Sequence, residues 1–83
     1  MAKKVFIPGP LTSLKKVVPD SVINVSAKEV PHLVVRRGST TFSICWFGKG
    51  GFFRVFWPYP NDNQSHWDCA TVQGTVDFLA AQQ

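Results

Sequence analysis

No lysine or arginine follows Arg54. Residues 55–83 carry Asp62, Asp68 and Asp77 and no base, a charge of −3. All nine Lys and Arg residues lie at or before Arg54, opposed there only by Asp20 and Glu29, which leaves +7. The 83-residue chain therefore sums to +4, split into a basic region and an acidic tail. A chain basic throughout is excluded, and a basic sheet region with an acidic tail suits nucleic-acid contact on one side.

Cysteine is scarce too. Cys45 and Cys69 are the only two, too few for a disulfide framework, and they read as free thiols. With His32 and His66 they make up the full set of histidines and cysteines. Zinc sites are built from close-spaced ligand pairs. Only His66 and Cys69 are close, so no metal or other cofactor is expected. No apolar run approaches bilayer length, which argues against a membrane helix. The start, residues 1–8, has lysines but no adequate hydrophobic signal region. These features lead to the expectation of a cytoplasmic protein.

Charged residues make up 17% of the chain and apolar ones 45%. That balance argues for folding rather than disorder. The length suits one small domain, residues 1–83, with a modest core, so oligomerisation is a plausible source of extra stability.

Signs of catalysis are weak. Residues 65–69, Ser-His-Trp-Asp-Cys, crowd triad residue types into one short run, but neighbours along a chain seldom converge on one reacting atom. There is no nucleophile elbow and no acid–base pair in an evident cleft. Gly48-Lys49-Gly50-Gly51 holds a lysine among glycines but is followed by strand residues, where a phosphate loop needs a helix. It reads as a hairpin tip. No enzymatic activity is expected.

What the chain does have is a pair of hairpins. Residues 33–37 read as a strand, and Gly38-Ser39 as a two-residue turn with glycine first. Residues 40–47 form a second strand, rich in aromatic and β-branched side chains. The glycine loop reverses the chain, and residues 52–57 form a third strand that Pro58 and Pro60 stop. These turns fix the register: Leu33 opposite Ile44, Val35 opposite Phe42, Ile44 opposite Val55, Trp46 opposite Phe53, and Phe42 opposite Trp57. Alternation then collects those residues on one core face.

The other face collects Val34, Arg36, Thr41, Ser43, Cys45, Phe47, Phe52, Arg54 and Phe56. A solvated face seldom clusters phenylalanine. Residues 5–7 suggest a short strand, 11–18 two helical turns with Leu11, Leu14, Val17 and Val18 on one side, and 22–26 another strand. Residues 66–70 suit a strand or a first helical turn. Thr71 is a plausible N-cap for a terminal helix whose stripe is Val72, Thr75, Val76, Leu79 and Ala80. Gly74 suggests close approach of that helix to a tryptophan, and Phe78 lies off the stripe.

The expected fold is α+β: an antiparallel sheet of four or five strands with a C-terminal helix packed on one face. The helix covers one face, and the other becomes a binding surface unless the N-terminal segment folds over it. Candidate contact residues are Arg36, Arg37, Phe47, Lys49, Phe52, Arg54 and Phe56. Aromatics that stack bases beside Arg and Lys that meet phosphates suit nucleic acid, single-stranded by preference. There is no RNP-like motif, and the helix order does not match an RRM. The same composition suits a protein interface, as in a homodimer, an adaptor or a small inhibitor.

Overall fold

The computed structural model describes residues 6–25, 30–59 and 65–82. Helix α1 (Gly9–Val17) is followed by strands β1 (Val22–Val25), β2 (Pro31–Arg37), β3 (Thr40–Phe47), β4 (Phe52–Trp57) and β5 (Ser65–Cys69), then by helix α2 (Val72–Ala80). The strands form one sheet in the order β1-β2-β3-β4-β5, each antiparallel to the next. The fold is therefore α+β, with five strands and a C-terminal helix.

The central register is the one the turns dictate. Leu33 pairs with Ile44, Val35 with Phe42, Ile44 with Val55, and Trp46 with Phe53. Phe42 and Trp57 lie one step beyond the last paired rung of β3 and β4, and their rings approach to 5.8 Å. Gly38 takes φ +62° in the two-residue turn, a conformation that costs glycine nothing. β1 continues the pattern, with Ile23 beside Leu33 and Val22 beside Val34.

Leu33, Val35, Phe42, Ile44, Phe53 and Val55 are fully buried on one face. Both helices pack on that face. Leu11, Leu14 and Val18 from the α1 region and Leu79 from α2 enter the same core. Val17, placed in the α1 stripe by its spacing, is exposed. Lys15 and Lys16 sit in the last turn of α1, where cations complement the helix dipole, and Lys15 Nζ donates to the Ser21 carbonyl at 2.7 Å. α2 opens as its sequence suggests: Thr71 Oγ1 accepts from the Gly74 N–H at 2.9 Å.

Two further local expectations change, and one open choice is settled. Phe6 and Ile7 are not in a strand; Val5, like Ser26 at the end of the expected 22–26 strand, lies outside the described residues. A Cβ at Gly74 would lie 3.1 Å from Thr71 Oγ1, so the glycine accommodates the cap rather than a tryptophan. The segment expected at 66–70 is strand over Ser65–Cys69, with Ala70 outside it, because β5 pairs with β4 from Trp57–Ser65 to Phe53–Cys69. Phe78 reaches inward and meets the rings of Phe42, Trp57 and Trp67. Among the described residues, no helix is long and apolar enough to cross a membrane.

Candidate contact face

The sheet face away from the helices is set by register. β3 and β4 pair Phe47 with Phe52, Cys45 with Arg54, and Ser43 with Phe56. β5 then adds Asp68 beside Arg54 and His66 beside Phe56. β2 contributes Val34 opposite Ser43 and Arg36 opposite Thr41. β1 contributes Val22, which is 57% exposed at the sheet edge. The described N-terminal residues do not cover this face, because α1 lies on the other one.

At the β3–β4 hairpin end the Phe47 and Phe52 rings stack, 5.2 Å apart and within 9° of parallel. Phe47 is 39% exposed. The Arg54 guanidinium lies over both, 4.9 Å from the Phe47 centroid and 5.3 Å from that of Phe52, a cation–π geometry. A Cβ on Gly50 would collide with the Phe52 ring, so this glycine lets the phenyl lie against the loop. Lys49 stands exposed in the same loop.

Arg54 is not a free cation. Nε donates to Asp68 Oδ1 at 2.7 Å and Nη2 to Oδ2 at 3.0 Å. The hydrogen bonds from Arg54 hold the Asp68 carboxyl below its usual range, and the same contact raises Arg54 further. Both groups are therefore charged at neutral pH. This face is less basic than its two arginines suggest, because β5 brings a carboxylate into the middle of it.

A second feature comes from the segment after β4. The Trp57–Pro58 bond is cis. The Tyr59 N–H donates to the Thr41 carbonyl at 2.9 Å, and the Tyr59 ring lies 5.4 Å from that of His32. Tyr59 thus spans the face from Thr41 toward His32, alongside the buried Ser43. His32 is itself buried, with Nδ1 3.1 Å from the Val30 carbonyl and Nε2 3.4 Å from the Tyr59 hydroxyl. A carbonyl only accepts, so Nδ1–H donates to it while Nε2 faces the tyrosine hydroxyl. The partial cover on this face is this tyrosine.

Six of the seven candidate residues lie on or beside this face: Phe47, Phe52 and Arg54 at the β3–β4 hairpin end with Lys49 in its loop, Phe56 further along β4, and Arg36 toward the β2–β3 turn. Arg36 is exposed, with Nε donating to the Gly38 carbonyl at 3.2 Å. Phe56 sits against His66, ring centroids 6.0 Å apart. Arg37 does not join them. It points to the helix-bearing side, pairs with Asp20 at 2.7 Å, and helps line a small cavity of about 90 Å³ with Val18, Val76 and Leu79. Its parity with Leu33 and Val35 already carries this signal.

Sequence reasoning missed Tyr59, Asp68 and Trp67. Trp67 is 57% exposed on the helix-bearing side, stacked on Phe78 at 6.3 Å. Tyr59 was legible only as an aromatic among prolines. Asp68 and Trp67 needed β5 to be a strand of known register.

Burial pushes the Cys45 thiol up, which suppresses the thiolate. β5 turns His66 and Cys69 to opposite faces. Among the described residues, no group of three or more His, Cys, Asp or Glu side chains is disposed to hold a metal.

These features define a small α+β domain with one helix-covered sheet face and one helix-free face that Tyr59 partly covers. No protein-family model, curated protein or solved structure matches the chain.

Proposed function

We propose that the chain is a binding module that engages single-stranded nucleic acid on its helix-free sheet face. The observation that carries this reading is the Phe47–Phe52 stack with the Arg54 guanidinium over it, beside Lys49. Single-strand-binding sheets use aromatic surface for bases and Arg or Lys for phosphates, and each stacked base contributes about 1–3 kcal/mol. Arg36 on the same face supplies a second phosphate contact. No reaction is assigned. A cytoplasmic setting accompanies this reading and agrees with Cys45 and Cys69 being free thiols.

The test is fluorescence anisotropy with mixed-sequence oligonucleotides. Affinity should fall steeply with added salt, and Arg54→Ala should lower the salt slope by about one. Absence of binding to single strands at low salt would remove the reading.

A second reading is favoured by two particular observations. The Arg54 charge is already met by Asp68, and Val22 leaves apolar surface at the edge of the same face. Both suit a protein partner, as in a homodimer, an adaptor or a small inhibitor. Sizing the pure protein with and without an oligonucleotide pool separates the two. Self-association that salt leaves unchanged, without a shift on adding oligonucleotide, favours the protein partner.

A further inference from the structure

We infer that the Arg54 fork is the seat of a nucleic-acid phosphate and that Asp68 fills it in the free protein, to be displaced when a strand binds. This rests on the single-strand reading above.

The geometry carries the inference. Arg54 offers two N–H groups in a plane, and both are taken by the two oxygens of one carboxylate. A phosphodiester presents two unesterified oxygens to such a fork in the same way. The pair is not sealed in: the Arg54 and Asp68 side chains are 29% and 43% exposed, so solvent and ligand reach it. An ion pair this open leaves its guanidinium within reach of a competing anion. The fork also lies over Phe47 and Phe52, so a phosphate seated there sits beside the surface on which bases would stack.

The consequence is a threshold. A lone anion must compete with a carboxylate tethered to the neighbouring strand. A polynucleotide brings stacking and further phosphates to the contest, with Lys49 and Arg36 to receive them. Once displaced, Asp68 remains close to the bound phosphate and opposes it. Asp68 therefore lowers affinity overall and biases the face toward ligands that offer both stacking and charge.

The experiment compares wild type with Asp68→Asn, binding a mixed-sequence single-stranded DNA probe at low salt. Asn keeps the shape and removes the charge. Asp68→Asn should tighten binding about five- to tenfold, and the gain should shrink as salt rises. Adding Arg54→Ala to Asp68→Asn should abolish the gain. Asp77→Asn, at an exposed position of α2, makes the same change in net charge and should alter affinity less than twofold. Circular dichroism checks that each variant folds, and Asp68→Ser repeats the test without an amide.

If wild type binds with steep salt dependence but Asp68→Asn binds no tighter, the seat is overturned and the single-strand reading stands. If Asp77→Asn gains as much as Asp68→Asn, the effect is net charge alone and the seat is likewise overturned. If neither wild type nor Asp68→Asn binds, the single-strand reading itself falls.

Discussion

The two faces of this sheet are built from similar residues and treated in opposite ways. On one, Phe42 and Phe53 are buried beneath two helices. On the other, Phe47 stays exposed, and Phe52 and Phe56 are only partly covered. Aromatic content alone therefore does not tell core from surface in a small sheet. What decides is where the helices go, and both go to the same side. The apolar surface left over is met by a single tyrosine and an arginine.

The sharpest way to break this comparison is to truncate one phenylalanine on each face. Phe53→Ala removes a fully buried ring and should cost about 3–5 kcal/mol in urea denaturation. Phe52→Ala should cost roughly 1–2 kcal/mol, because its ring is only partly covered. It should nonetheless weaken oligonucleotide binding by roughly five- to a hundredfold, the loss of one stacked base. Equal costs on stability would mean that the helix-free face is core.

Thr71→Ala should destabilise by about 1 kcal/mol, since the hydroxyl accepts from the Gly74 N–H at the start of α2. Binding should be unaffected, because α2 lies on the other face. Arg37→Ala should cost up to about 1 kcal/mol, through loss of a pair whose Asp20 end is 60% exposed. It should leave oligonucleotide affinity far less changed than Arg54→Ala does. An equal loss from both would bring Arg37 back into the contact surface.

The smallest effect is in the pH dependence. Hydrogen bonds from Arg37 and Arg54 lower the folded-state pKa of Asp20 and Asp68 below the ordinary 3.8. A lowered folded value means that the unfolded chain binds more protons in this range. The stabilisation is present above pH 3.8 and is lost as pH falls through the folded-state values. Urea midpoints measured from pH 5 downward should decline, and Asp20→Asn with Asp68→Asn should flatten that decline.

Much of this fold was legible because turns count residues. A two-residue loop at Gly38-Ser39 and a four-residue loop at 48–51 leave one register, and alternation then assigns every side chain in β2, β3 and β4 to a face. The side chosen by α1 was not legible. Leu11, Leu14 and Val18 show that this segment has an apolar flank, but a flank does not say which face of a sheet receives it. The contact face was readable in the same proportion. Its phenylalanines follow from parity, and so does the exclusion of Arg37. The Arg54–Asp68 pair depends on β5, whose five residues fit two secondary structures until tertiary pairing selects one. Tyr59 depends on a turn after β4 that no local pattern specifies.

The most direct test of the helix-free face as the contact surface is to map a single-stranded oligonucleotide onto it. Amide shifts of isotope-labelled protein should move at Cys45, Phe47, Lys49, Phe52, Arg54 and Phe56 while α1 and α2 stay in place. Shifts concentrated on the two helices, with the β3–β4 hairpin unmoved, would contradict the account.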